Sequence, residues 1–418
     1  MKISSLRSRE ILDSRGIPTV ETTLELSDHV FAKASVPSGS STGTNEAIEL
    51  RDGDPTRYNG QGVLKAVGNV NTIISKEIVG KNFDSIDQLD DTLIKLDGTV
   101  DKSKLGANAI LSVSMAFCRA AAESENVPLY RYFQELTGMK DIETPQLNIL
   151  VMEGGKHGNW ATDFQEYMII PRNELFPTVT ESLQAGAEIF HAIHDILDEK
   201  HYSTGVGLEG AFAPREISSN TEAFEIMLAG IEKAGYTPQE EILLGIDAAA
   251  SEFYSGGRYN LRRENKQMTT EEWIALQSEW FKEYPIWSIE DTLFEEDWDG
   301  WAKLTSMLGN ELQIVGDDLL TTNTKRIQHA INLKVANCVL IKINQIGTIS
   351  ETLDAIKLAD SAGYTTMISH RSGETNDDLI ADLVMGTSSW QTKFGGPDRG
   401  ERLAKYNRLL EIEEEVNR

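Results

Sequence analysis

Short apolar runs in the second half of the chain each end at a charged or titratable residue. Six such runs lie between residues 243 and 393, and each has the length of a strand. The residues at which they end are Asp247, Glu290, Asp317, Lys342, His370 and Lys393. Successive end residues are 43, 27, 25, 28 and 23 positions apart. Because a strand, a helix and two loops fill such a length, each interval predicts one βα unit.

Repeated βα units close a parallel sheet, and in a (β/α)8 barrel the carboxyl ends of the strands face one mouth. We therefore expect the six end residues to converge on one pocket. A single Asp at a strand end is better explained as a helix cap. Three carboxylates followed by three cationic or titratable side chains, all at strand ends, instead indicate a site.

The residues before these units predict how the barrel begins. Residues 147–152 and 164–170 have the pattern of two strands, and residues 179–200 and 221–233 have that of two helices. The predicted fold class is α/β, with a modified (β/α)8 TIM-type barrel of order ββαα(βα)6 over residues 145–418.

Residues 1–137 predict an N-terminal α+β capping domain. Apolar and polar residues alternate over residues 19–36, which predicts a β-hairpin. Helical spacing covers residues 63–78, and residues 107–122 are rich in Ala, Leu and Met without Pro. We expect the domain boundary to follow residue 137.

Two glycine-containing segments need separate interpretation. Residues 38–43, Ser-Gly-Ser-Ser-Thr-Gly, lack the Gly-Lys-Ser/Thr ending of a P-loop, and either a flexible linker or a mobile lid fits them. Residues 205–210 match G-x-G-x-x-G, but a predicted helix precedes them where a dinucleotide fingerprint requires a strand. We interpret the second segment as a loop that presents Glu209.

The charge balance restricts the partners. The 418 residues include 39 basic and 66 acidic side chains, a formal charge of −27, which argues against nucleic acid and anionic membrane surfaces. The predicted pocket nevertheless gathers Lys342, His370, Arg371 and Lys393, which favours a small anionic ligand. Two cysteines give no disulfide framework, and no apolar run has the length of a signal peptide core or a membrane span, so we expect a cytoplasmic protein.

Asp247, Glu290 and Asp317 offer hard oxygen ligands from three successive strand ends, a donor set that selects Mg²⁺. A hydrogen-bonded or arginine-paired cluster is the alternative, but three close carboxylates repel unless a cation neutralises them. We expect neighbouring cations to lower the pKa of Lys342 towards that of a general base. Glu209 is then the candidate acid and Glu166 its partner, since two neighbouring carboxyls share protons.

These residues stand in segments that carry a family resemblance. The segments are DSRGIPTVE at 13–21, VPSGSSTG at 36–43, ELRDGD at 49–54, KSKLGANAILSVSMA at 102–116, FQEYMIIP at 164–171, SIED at 288–291, VGDDLLTTN at 315–323, IKINQIGT at 341–348, SHRSGET at 369–375 and ERLAKYNRLLEIEEE at 401–415. Over nearly its full length the chain resembles the enolase family, whose superfamily uses a Lys or His base with one or two Mg²⁺ ions.

The resemblance implies a lyase of glycolysis that reversibly dehydrates 2-phosphoglycerate to phosphoenolpyruvate and forms a homodimer or a higher multiple of dimers. It implies two Mg²⁺ ions, the first on the three carboxylates and the second arriving with substrate at Ser41, so that residues 38–43 form a lid. It assigns the base to Lys342 and the acid to Glu209, paired with Glu166. The substrate-binding residues that it implies are His157, Gln165, Glu166, His370, Arg371, Ser372 and Lys393.

The chain departs from the family pattern on the acid side of the expected site. Leu208 replaces a carboxylate beside the acid, Ala211 replaces a glycine, and Thr292 replaces a proline. Glu153 replaces an asparagine, after a short insertion at residues 151–152. These departures leave two alternatives open: a related dehydratase of another phosphorylated or acidic 2-hydroxy compound, and a weakly active paralogue with a binding role.

Overall fold

The computed structural model describes residues 1–40 and 43–418. Its N-terminal part contains an antiparallel sheet in the order β1-β2-β3. The strands are β1 (Ile3–Leu12), β2 (Pro18–Leu26) and β3 (Phe31–Ser35). The predicted hairpin corresponds to β2 and β3. The alternation rule did not find β1, because one of its buried positions is the polar Ser8 and the apolar Leu12 at its end is exposed.

Helices cover one face of this sheet. Those in the described residues of the N-terminal part are α1 (Leu64–Gly68), α2 (Ser75–Ile78), α3 (Ile86–Asp97), α4 (Ala107–Ser124) and α5 (Leu129–Thr137). A π-helical segment, Asn69–Ile74, joins α1 to α2, so the helix predicted over residues 63–78 is one continuous body. Helix α4 packs on β2 and β3 and is buried on almost every side, because its sequence consists largely of small and apolar residues.

The remaining strands are β4 (Gln146–Glu153), β5 (Glu166–Pro171), β6 (Ile242–Asp247), β7 (Tyr254–Ser255), β8 (Arg258–Leu261), β9 (Lys266–Met268), β10 (Ile286–Glu290), β11 (Gln313–Gly316), β12 (Cys338–Ile341), β13 (Thr365–Ser369) and β14 (Gln391–Lys393). Strands β7 to β9 form a small separate sheet. The other eight close a barrel in the order β4-β5-β6-β10-β11-β12-β13-β14. Strand β5 runs antiparallel to β4 and β6, whereas the other neighbours are parallel.

The helices of the barrel are α6 (Val179–Glu199), α7 (Asn220–Lys233), α8 (Thr270–Glu283), α9 (Trp298–Leu308), α10 (Thr324–Leu333), α11 (Ile343–Ile346), α12 (Ile349–Ser361), α13 (Leu379–Met385) and α14 (Gly400–Val416). The order ββαα(βα)6 is therefore confirmed. The first βα interval is the longest because it contains β7 to β9. Several helices begin at a Ser, Thr, Asn or Asp side chain that accepts a backbone N–H bond, as Thr269 does in a capping box with Glu272.

Two further features bear on the predictions. Helix α5 ends at Thr137 and β4 begins at Gln146, and a domain division between them stays a prediction. Among the residues that the structure describes, no helix combines the length and the apolar composition needed to span a membrane.

Candidate active site

The structure brings the predicted strand-end residues to the same end of the barrel. Asp247 and Glu290 end β6 and β10 and lie opposite each other in their register. Asp317 directly follows β11. Lys342 directly follows β12 and forms an ion pair with Asp317. Lys393, the last residue of β14, reaches across to Asp247 and Glu290. The regular intervals read from the sequence therefore lead to one cluster of charges.

Lys393 is the centre of a buried charge cluster. Its Nζ lies 2.8 Å from Glu290 Oε1, 3.0 Å from Asp247 Oδ2 and 3.2 Å from Glu166 Oε2. Burial opposes its charge, but the three carboxylates outweigh burial and raise the pKa of Lys393 well above its usual value. Burial and the neighbouring Asp247 also raise the pKa of Glu290 well above its usual range. One lysine therefore does not neutralise this group of carboxylates.

The carboxylates fit a hard divalent cation. Glu290 Oε2 is buried and accepts no hydrogen bond from any described residue. The carboxylates whose oxygens lie within 4.8 Å of one another are those of Asp291, Asp317 and Asp318, so of the three expected ligands only Asp317 belongs to this group. Asp291 uses its oxygens to accept the backbone N–H groups of Asp317 and Asp318, which fixes how Asp317 enters the site. An all-oxygen donor set with excess negative charge is the environment that Mg²⁺ prefers.

The expected base is paired with a carboxylate. Lys342 forms its ion pair with Asp317 Oδ2, and the Gln345 side chain donates to Asp317 Oδ1 at 2.8 Å. Burial alone would raise the pKa of Asp317, but Lys342 holds it below its usual value. Burial lowers the pKa of Lys342, yet Asp317 outweighs burial and the net direction is upwards. This direction is opposite to the one that we expected from neighbouring cations, because the nearest charge is an anion.

Glu209 and Glu166 lie on the far side of the site from Lys342. Ligand atoms of His157, Glu166 and Glu209 lie within 4.8 Å of one another, and all three residues are buried. Burial would raise the pKa of Glu209, but His157 and Arg402 are among the neighbours that outweigh burial and hold it well below its usual range. Burial and the Glu209 charge raise the pKa of Glu166 well above its usual range. The two neighbouring carboxyls are therefore shifted in opposite directions, and a proton on this pair is favoured on Glu166.

Arg402 fixes the protonation of His370. Its guanidinium lies 2.7 Å from His370 Nδ1, and a guanidinium only donates hydrogen bonds. His370 Nδ1 is therefore the acceptor, and in the neutral ring Nε2 carries the hydrogen, 3.6 Å from Glu209 Oε2. Burial, with Arg402 among the neighbouring cations, lowers the pKa of His370 well below its usual value and keeps the ring neutral.

Arg371 and Ser372 continue the loop after β13. Arg371 donates to Glu46 Oε2 at 2.8 Å and to Asn344 Oδ1 at 3.1 Å. Ser372 Oγ accepts the backbone N–H of Ser40 at 2.8 Å. The loop that follows β3 in the N-terminal part therefore lies against the cationic side of the site, where it contributes a carboxylate and a backbone amide.

The same N-terminal loop also reaches the acid side. Ser40 Oγ lies 3.0 Å from His157 Nε2. Ser41, the expected ligand of a second ion, lies outside the described residues.

The structure places Gln165 beside Asp247, to whose carbonyl its backbone N–H donates at 3.0 Å. A cavity at the barrel mouth is lined by His157, Gln165, Glu166, Glu209, Lys342, Ser369, His370, Arg371, Ser372 and Lys393.

Several residues of the site were not among the predictions. Glu46, Asn344, Asp291 and Arg402 position the groups described above, and all four fall in segments quoted for the family resemblance or between two of them. This position in or between the quoted segments was the only feature of the sequence that could have pointed to them. Arg402 lies on α14 and not at the end of a strand. It reaches the site because α14 packs beside the loop that follows β13.

The chain matches two family models. Residues 3–133 match the model described as "Enolase, N-terminal domain". Residues 140–418 match the model described as "Enolase, C-terminal TIM barrel domain". Together these matches cover the sheet of the N-terminal part, its helices up to residue 133 within α5, the whole barrel and all the residues of the cavity. The chain belongs to the enolase family.

Proposed function

We propose that this enolase-family lyase catalyses the reversible, Mg²⁺-dependent dehydration of 2-phosphoglycerate to phosphoenolpyruvate in glycolysis and gluconeogenesis. The observation that carries the proposal is the placement of Lys342 and Glu166 in the ring of eight strands. Lys342 follows β12 and Glu166 begins β5, and these strands are four steps apart in either direction. Glu209 lies beside Glu166, so a base and an acid approach one cavity from opposite sides.

The proposed reaction uses both sides. Lys342 Nζ, after its ammonium form has released a proton to solvent, accepts the proton from C2, and the electron pair of the C–H bond forms the C2=C3 double bond. The C3–O bond breaks, and the leaving hydroxide takes a proton from the Glu209–Glu166 pair to become water. The opposite pKa shifts of Glu166 and Glu209 favour a pair that carries one proton, which is the number that this step needs.

The remaining roles follow the chemistry of the cavity. Asp247, Glu290 and Asp317 would hold the first Mg²⁺, and Ser41 would hold the second. When bound, the ions supply positive charge that stabilises the negative charge developing on the substrate carboxylate. Arg371 is suited to a phosphate because its planar fork donates in pairs. The other proposed substrate contacts are His157, Gln165, His370, Ser372 and Lys393.

The test is an absorbance assay for phosphoenolpyruvate with and without Mg²⁺. We expect formation only with the ion, and a loss of at least about 100-fold in Lys342→Ala, since the base is removed. Lys325→Ala, which changes an exposed lysine on α10, is the matched control and should retain full activity. The absence of product from the Mg²⁺-loaded wild type would reject the proposal. A panel of other phosphorylated 2-hydroxy acids then tests the related-dehydratase alternative.

A cytoplasmic location and a homodimer, or a higher multiple of dimers, are parts of the same proposal. They rest on family membership. Light scattering of the purified protein measures the mass, and a mass equal to that of a single chain would contradict the dimer.

A further inference from the structure

A bulge in β4 directs Glu153 towards the loop that carries Glu209. Along β4 and β5, Leu150 lies opposite Met168 and Met152 lies opposite Tyr167, so Val151 has no partner across the pair. The extra residue faces another segment instead, because Val151 O accepts the backbone N–H of Phe212 at 3.1 Å. The insertion noted in the sequence is thus accommodated as a β-bulge, a feature that redirects the side chains beside it.

Glu153 fastens this loop through its carboxylate. Its Oε1 accepts the backbone N–H of Glu209 at 3.0 Å and that of Ala211 at 2.9 Å. Its own backbone N–H donates to Phe212 O at 2.8 Å. The bulged end of β4 is therefore joined to the loop at Glu209, the proposed acid, and at Ala211 and Phe212 beyond it.

The fit between Glu153 and the loop leaves little free space. Glu153 has 1% of its surface exposed. A Cβ atom on Gly207 would stand 2.4 Å from Glu153 Oε2, so only glycine accepts the carboxylate at this distance. Burial and the Glu209 charge raise the pKa of Glu153 to about 8, so the group is largely protonated at neutral pH while Oε1 accepts both amides.

We propose that Glu153 is a positioning residue for the elimination step: its carboxyl group holds the backbone around Glu209 and thereby aims the Glu209 side chain at the leaving group. The inference rests on the proposed function. Leu208 contributes no carboxylate to the loop. Besides Glu153, the loop backbone is held by the Gly396 N–H on Glu209 O at 2.8 Å, and by Arg399 on Gly207 O and Arg402 on Leu208 O, each at 3.2 Å. A displacement of about 1 Å in such a group is enough to cost about 100-fold in rate.

Two partial reactions separate this role from general damage. Removal of the C2 proton by Lys342 is followed as exchange of that hydrogen for solvent deuterium by NMR, and loss of hydroxide is followed as phosphoenolpyruvate formation. We expect Glu153→Leu to lower the second rate by about 100-fold and to leave the first within about threefold. Glu153→Gln retains an acceptor oxygen and should restore most of the elimination rate. Equal losses in both reactions, or no loss in Glu153→Leu, would overturn the proposal.

Gly207→Ala approaches the same contact from the loop. Its Cβ should displace the Glu153 carboxyl from the two amides and reproduce the Glu153→Leu phenotype, with no additional loss in the double variant. Asp90→Asn is the control, because Asp90 is another buried carboxylate that accepts a backbone N–H, and it does not line the cavity of the site. It should leave the ratio of the two rates unchanged.

A measurement that needs no turnover completes the test. Hydrogen–deuterium exchange of the amides in residues 205–213 should be faster in Glu153→Leu than in wild type and near wild type in Glu153→Gln. Unchanged exchange in Glu153→Leu would refute the anchoring contact even in an active enzyme. If wild type makes no phosphoenolpyruvate but amide exchange in residues 205–213 is faster in Glu153→Leu, the proposed reaction is rejected. The contact by which Glu153 holds the loop is then still supported.

Discussion

Asp90 links the N-terminal part of the chain to the barrel through a contact that depends on pH. It lies on α3, and its Oδ2 accepts the backbone N–H of Ser350 on α12 at 2.9 Å and the Ser114 hydroxyl at 3.0 Å. Its Oδ1 is buried and has no hydrogen-bond partner among the described residues. Burial raises the pKa of Asp90 from 3.8 to about 7. The folded protein therefore favours the protonated acid.

The direction and size of the effect follow from this shift. A folded pKa above the unfolded one means that the folded state binds the proton more tightly. The resulting stabilisation is complete below the unfolded value of 3.8 and is lost as the pH rises through about 7. Each pKa unit corresponds to about 1.4 kcal/mol, so the loss between pH 5 and pH 8 is about 3 kcal/mol in the free energy of unfolding.

The perturbation is Asp90→Asn, which cannot ionise, and the assay is urea unfolding followed by circular dichroism at both pH values. Between pH 5 and pH 8 the free energy of unfolding of the variant, relative to wild type, should rise by about 3 kcal/mol. Asp87→Asn removes an exposed carboxylate from the same helix and serves as the control for loss of charge. A change of less than about 1 kcal/mol in the Asp90→Asn difference would refute the assignment of a buried, proton-binding Asp90.

Three further predictions concern the site. Lys393→Met should lower the free energy of unfolding without Mg²⁺ by about 3–5 kcal/mol, because three buried carboxylates lose their cation; a change below 1 kcal/mol in urea unfolding would contradict this. Arg402→Gln should raise the pKa of His370, because a cation that keeps the ring neutral is lost; an NMR titration of the imidazole that matches wild type would argue against it. Mg²⁺ at 100 times its Kd should stabilise wild type by about 2.7 kcal/mol and Asp317→Asn by much less, as measured by thermal unfolding; equal stabilisation of both would exclude Asp317 as a ligand.

The cationic half of the site could be predicted from the sequence because it is built from regular βα units. Lys342 and Lys393 directly follow or end apolar strands, and in a parallel barrel that position determines which end of the molecule a side chain reaches. The three carboxylates at strand ends follow the same rule. The roles of these residues in binding and catalysis stay predictions, since position alone does not assign chemistry.

The supporting contacts could not be predicted in this way, because they join elements that are distant in the sequence. Arg402 on α14 donates to the carbonyls of Arg371 and Ser372 at 2.6 and 2.9 Å, as well as to His370. Glu46 comes from the N-terminal part and meets Arg371 only after the two parts pack together. Neither side chain belongs to a periodic pattern that marks its partner. The upward pKa shift of Lys342 was missed for a similar reason, since it depends on how close Asp317 lies.

The half of the site around Glu166 and Glu209 could not be predicted by the same rule, because β5 runs in the opposite direction to its neighbours. Glu166 is the first residue of β5, yet it lies opposite Asp247, the last residue of β6, and opposite Glu153, the last residue of β4. A rule based on carboxyl ends of strands therefore cannot find Glu166. Glu209 itself lies on residues 205–213, between α6 and α7, which belong to no strand and are held by contacts such as those of Glu153. Substitutions around Glu166 and Glu209 can therefore change where the side chain of the proposed acid points, while Lys342, Asp317 and the strands that carry them stay unchanged. The departures from the family pattern at Leu208, Ala211 and Glu153 lie in this half of the site.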